Sequence, residues 1–498
     1  MQVNLRLHTF LFLPILLLIG CAAISMNRLV AEFQRPPEAV NFFELLDRTV
    51  AETDVRDASV FAVHGFPYLR TNRFLTGVKD DLTNDARKEQ WVRWMQQLDL
   101  EARQKEIRNL PADALNDLAL LLGEPSGRQI LQQRAAFYSD KLLTSDQRQP
   151  NFYEVLLASV TDPSEYSTAM RIMGIYPLTL IPVTLVTHRV QVKFRKRHSA
   201  PVDQIETLGE LTAYGPSHVT DYSDHIVHLI LDRSRQNALG VPRPSAADRQ
   251  TLLKIFAPVI YQDVAAEYDK IGEVVWQDNK VNINPAKPTV YYYFSHARLK
   301  RVPVLQLNYV FWYSARNGPK SPWIERGSID GITIRVSLDY DGLPFMVDIM
   351  NNCGCYHFFV PHEKKIGKMI PTPDGIDAFV PRRLPDSYPQ KRLKLRIISG
   401  WHQVAHMDDE MKAARSLYYQ LADYKKLEIL PHNDQYFESI FNSAGIGKGS
   451  ERIEPLIFFP MGIVDIGSMR QRGHHATKLV GREHFDDPDL FDRNFEIE

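Results

Sequence analysis

Three cysteines in 498 residues are too few to build a fold on disulfides. Neither sign of charge is in excess: 59 Lys and Arg stand against 60 Asp and Glu. A net charge of −1 leaves no global basic field to hold a nucleic acid, and there is no acidic tail. A Gly-rich phosphate loop, an internal repeat and a low-complexity tract are all missing. The apolar runs Thr9–Ile19 and Ile172–Thr187, of eleven and sixteen residues, fall short of the roughly 20 that a spanning helix needs. What remains is an ordinary globular composition with chain enough for two to four domains.

The chain start is specific. Arg6, His8 and the free amino terminus precede the apolar run, which has the length of a signal-peptide core. It ends Leu18-Ile19-Gly20-Cys21, which resembles the lipobox of bacterial lipoproteins. The resemblance covers only this segment. It implies that residues 1–20 are a signal peptide and that Cys21 is acylated, with palmitate-type chains, as the mature N-terminus. The expected partner is then a membrane, reached through lipid; two or more chains give stable anchoring where one is marginal. Ala22, where an acidic residue would retain the protein at the inner membrane, implies the outer membrane, facing the periplasm.

Residues 21–37 are expected to be a lipidated tether and 38–200 a mainly helical module. Asn84 is placed to cap a helix carrying Trp91, Val92, Trp94 and Met95; Pro111 opens another with Leu115, Leu118 and Leu121 on one face. After Ile172–Thr187, whose basic flank suits a membrane surface, Val190, Val192 and Phe194 alternate with polar residues, the period of a half-buried strand. Residues 201–245 read as a connecting region ending in a Pro-rich linker, with Ser245 as a helix cap. Residues 246–498 read as an α+β domain. Its strands are Val290–Ser295, Val304–Ser314, Ile332–Leu338 and Phe345–Met350, with Asp341-Gly342 as a hairpin turn. Asp408–Tyr424, with Met411, Ala414, Leu417 and Leu421 at helical spacing, reads as a helix. The expected fold class is α+β: a helical module, then an antiparallel sheet with packed helices.

Removing Cys21 from the count leaves Cys353 and Cys355, in Asn351-Asn352-Cys353-Gly354-Cys355-Tyr356-His357. On a strand, Cys353, Cys355 and His357 would share a side at about 7 Å steps, a partial site for zinc or copper(I). The spacing excludes a c-type haem. The alternatives are a labile, oxidising disulfide across one residue or two small buried residues in a tight turn. His402 and His406 share a face in helix or strand and are further metal candidates, although Gln403 stands where a zinc protease needs Glu. The tail adds His474, His475 and His484. Glu325 and Asp348 are the candidate bases. Gln306, Asn308, Trp312, Ser314 and Arg316 line either a pocket or a wet sheet face.

Two functions fit. One is a metal-dependent hydrolase acting on an envelope substrate through an activated water. The other is an envelope adaptor or assembly factor with a protein or envelope-polymer partner, its thiols either structural or exchanging disulfides.

Overall fold

The computed structural model describes residues 33–407, 411–432 and 436–498. The signal segment and Cys21 lie outside them. Two compact units divide the chain. The first holds the described residues up to Thr53 with Val60–Pro163; the second holds Asp54–Ser59 with Ser164–Glu498.

The first unit is helical: α1 (Pro37–Glu52), α2 (Asp85–Asn109), α3 (Ala112–Leu122), α4 (Arg128–Asp146) and α5 (Phe152–Ser159), beside a small hairpin of β1 (Phe61–Val63) and β2 (Phe66–Thr71). The Asn84 side chain caps α2 by accepting the Arg87 N–H at 2.9 Å, and Trp91, Val92 and Met95 are buried behind it. Pro111 precedes α3, which buries Leu115 and Leu118 but leaves Leu121 exposed.

The second unit opens with α6 (Thr168–Met173) and α7 (Tyr176–His198), so helix extends to the end of the segment expected to be helical, although the first unit closes at Pro163. After β3 (Glu210–Pro216) come α8 (Asp224–Ser234) and α9 (Ala246–Phe256), the latter capped by Ser245, which accepts the Asp248 N–H at 3.2 Å. The strands that follow are β4 (Val259–Val264), the ribbon β5 (Glu273–Gln277) and β6 (Lys280–Asn284), then β7 (Thr289–Leu299), β8 (Val302–Arg316), β9 (Gly327–Leu338), β10 (Pro344–Asn351), β11 (Phe358–Pro361), β12 (Lys394–Ile397), β13 (Val404–Met407) and β14 (Arg415–Asp423).

Ten of these form one sheet in the order β11-β10-β9-β8-β7-β14-β3-β4-β12-β13. The β7-to-β11 meander is antiparallel, with Asp341-Gly342 turning β9 into β10. β14 runs parallel to both neighbours and β12 parallel to β4, so the α+β fold carries a mixed sheet. Along β8, Leu305, Leu307, Tyr309, Phe311 and Tyr313 enter the core shared with α8 and α9, while Val310 and Trp312 enter a second core on the opposite face. Both faces of the sheet centre are therefore dry. Gln306 and Asn308 form a buried polar ladder rather than a wet face: Ser295 Oγ donates to Gln306 (3.0 Å), and Gln306 donates to Ser337 Oγ (3.1 Å).

Two elements differ from expectation. Residues 190–194 are helix, not strand. Val190 and Phe194, four apart, pack on the core, whereas Val192 is 63% exposed. The apparent alternation is one helical stripe plus a valine on the outside. Arg415–Asp423 is strand, not helix, and Asp408 lies outside the described residues. Leu417 and Leu421 share a face in either form; what decides is Tyr419 between them, fully buried, its hydroxyl on the Pro258 carbonyl at 2.7 Å.

Candidate functional site

The expected strand through the Cys-Gly-Cys segment is a turn. β10 ends at Asn351 and β11 begins at Phe358. The Asn351 N–H donates to the Cys355 carbonyl (3.0 Å), the Gly354 N–H to the Asn351 carbonyl (2.8 Å), and Gly354 takes φ +86°. A side chain at 354 would meet the Ala476 carbonyl oxygen at 2.3 Å, so glycine is required on two counts. The turn sends the thiols and His357 to separate surroundings.

Cys353 is buried and Cys355 half-buried, and both are free thiols. The Cys355 N–H donates to Cys353 Sγ at 3.4 Å. Burial alone would raise the Cys353 thiol, but the Cys355 hydrogen bond and the Arg316 charge hold it below its ordinary value. Cys355 is pushed well up, first by its hydrogen bond to Cys353 and then by desolvation. Of the two thiols, Cys353 is therefore the readier to ionise.

Arg316, at the end of β8, anchors a buried network. It chelates Asp330 on β9 (2.9 and 2.8 Å) and donates to Glu325 (2.8 Å). Glu325 also accepts from Trp401 Nε1 (2.9 Å) and the Tyr356 hydroxyl. Asp330 holds His402 Nδ1 at 2.7 Å; Asp269, from the loop after β4, holds Nε2 at 3.2 Å, and the ring stacks on Tyr313 with centroids 3.8 Å apart. Burial pulls the His402 imidazole down, but its two carboxylates outweigh this and keep it raised above its ordinary value. Ile329, Tyr356 and His402 take φ of +54°, +57° and +51°, which is costly outside glycine and most so for β-branched Ile329. Three backbone positions strained in this way thus lie around these carboxylates.

A second acid–histidine–acid arrangement lies across β9 and β10. Asp348 sits opposite Arg335 in the sheet register and is chelated by it at 2.9 and 2.5 Å. It accepts His357 Nε2 at 2.9 Å, while Glu483 lies 3.7 Å from Nδ1. His357 is raised despite its burial, and Glu483 is drawn down to about 2 despite its own, by the His357 hydrogen bond and Lys478. Both His357 ring nitrogens thus face carboxylates.

His402 and His406 do not share a site. His402 occupies a left-handed position before β13, while His406, within it, faces the Arg382 guanidinium at 3.3 Å. In the tail, His474 bridges Glu165 (2.9 Å) and the Ala58 carbonyl (2.5 Å), and His484 accepts the Glu165 N–H (3.2 Å). His475 is pushed down to about 3 by burial and Arg470. Glu325 and Asp348 are occupied in separate networks. Among the described residues no group of three or more His, Cys, Asp and Glu side chains is arranged to hold a metal ion.

The sequence reading missed Asp269 and Arg335. Asp269 has no local pattern and is brought to His402 only by the sheet. Arg335 carried a usable signal, as one charge inside the β-branched strand Ile332–Leu338. Compared with protein-family models, curated proteins and solved structures, the chain matches none.

Proposed function

We propose that this is a lipid-anchored envelope protein that donates disulfides, with Cys353 and Cys355 as its redox pair. Support for the address is the lipobox-like Leu18–Cys21 segment. Support for the chemistry is one observation: the Cys353 sulfur accepts the Cys355 N–H at 3.4 Å, and the neighbouring thiol and the Arg316 charge hold its thiol below the ordinary value against its burial. Stabilising the reduced form makes the corresponding disulfide oxidising, and a low-pKa sulfur leaves readily.

In the oxidised pair, a client thiolate attacks the sulfur of Cys355, the less buried of the two residues. The Cys353–Cys355 bond breaks and Cys353 leaves as thiolate. A second client thiolate then attacks the mixed disulfide and releases Cys355. The client dithiol becomes a disulfide; the pair takes up its two electrons and keeps one proton on Cys355, and the other proton goes to solvent.

The test is titration of the full chain in glutathione buffers, with thiols counted by mass after alkylation. Cys353 and Cys355 are expected to convert together as one two-electron couple, at a potential above about −200 mV. A pair that never forms this bond, or forms it only below about −300 mV, overturns the reading. Zinc or copper bound stoichiometrically and lost on Cys353→Ser would replace it with the metal reading.

A further inference from the structure

From Tyr166 to Val202 the chain contains no Asp or Glu; its charges are Arg171, Arg189, Lys193, Arg195, Lys196 and Arg197. The structure turns this segment into α6 and α7, and among the described residues nothing covers the outward surface of α7. Leu178, Ile181 and Leu185 are 65%, 56% and 56% exposed, and Val192 is 63% exposed. With Arg189 and Lys196, also exposed, they fall three or four residues apart on one helical stripe. That stripe is apolar at the N-terminal end and basic at the C-terminal end. The inward side is fixed, with Phe194 and His198 buried against the unit's body. The turn Phe459–Met461 packs against α6 and α7, and the short helix Pro455–Phe458 that contacts this turn adds exposed Leu456 and Ile457.

We infer that α7 and its neighbours form a second membrane contact, which lies flat on an anionic bilayer. Among the described residues no helix is long and apolar enough to cross a membrane. A helix of about 35 Å with leucine and isoleucine outward and lysine and arginine following suits the bilayer interface instead. Its apolar end enters the boundary between headgroups and acyl chains, and its basic end meets lipid phosphates. A second copy of the chain is a poor occupant, since two such faces would bring only positive charges together.

This contact rests neither on acylation nor on the redox reading, and its test removes the anchor. The full chain carrying Cys21→Ser is floated with vesicles of phosphatidylcholine, alone or with one quarter phosphatidylglycerol. It is compared with the same chain carrying Leu178→Glu, Ile181→Glu and Leu185→Glu, and with one carrying Arg189→Gln and Lys196→Gln. Residues 1–20 are common to all three, so differences report α7. The parent is expected to bind the anionic vesicles more tightly. The apolar triple change is expected to cut partitioning at least tenfold, with an unaltered melting temperature. Each lost charge is expected to cost roughly fivefold on anionic vesicles and little on neutral ones. If the triple variant misfolds, Ile181→Glu alone is read in the same way. Equal flotation of parent and variants overturns the inference. So does a parent dimer that the triple change dissociates while vesicle binding is unaltered.

Discussion

Asp330 has three neighbours that no local pattern connects to it: Arg316, fourteen residues before it, His402, seventy-two after, and through that ring Asp269. The network makes a signed prediction. His402 has its folded pKa raised, so its contribution to stability is complete below its unfolded value near 6.5 and is lost as pH rises through the folded value. Asp269 is drawn down by His402 and by donors from Ser399 and Gly400 against its burial, so its contribution holds above about 4 and is lost as pH falls. His402→Gln should therefore cost about 3 kcal/mol at pH 6 and clearly less at pH 9, measured by urea unfolding at both. An equal cost at both pH values would mean that the ring is neutral in the folded protein. Glu325 and Asp348 were visible in the sequence as carboxylates near strands; their Arg, Tyr, Trp and His partners were not, because those come from other strands and loops.

Elements were legible where one period dominated. Asn84 and Ser245 cap as their side chains dictate, and β7 to β10 follow their aromatic and β-branched runs. Legibility failed where apolar residues fell four apart, since that spacing keeps a common face in helix and strand alike. Leu417 and Leu421 became strand because a place between β3 and β7 pairs their backbone; Val190 and Phe194 became helix because the sheet offers that segment no partner. The Cys-Gly-Cys turn belongs to this scale. Gly354→Ala combines a left-handed φ with a collision against backbone, and should destabilise by more than about 1 kcal/mol in denaturant unfolding. A neutral substitution would show that the turn is looser than drawn.

At the scale of the whole molecule, the second unit takes in six residues from early in the chain. Within it the Asp57 carboxylate accepts Ser59 Oγ (2.7 Å) and Gln471 Nε2 (2.9 Å), and the Ala58 carbonyl receives His474. Two cores of this kind should unfold as two calorimetric transitions. Asp57→Ala is expected to lower only the one belonging to the sheet-bearing unit, by about 1–3 kcal/mol, because it leaves a buried Gln471 donor unmatched. A shift of both transitions together would indicate one cooperative body.

The sequence alone determined what depends on neighbours along the chain: the lipobox-like start, the helix caps, the meander strands, and the acid-free stretch from Tyr166 to Val202. Only the tertiary structure decided that Cys353 lies beside Arg316 and that His357 turns to Asp348 and Glu483. It alone left the apolar stripe of α7 exposed among the described residues. Thiol acidity, imidazole basicity and exposure all depend on groups that the sheet order brings in from tens or hundreds of residues away, and no spacing along the chain records that order.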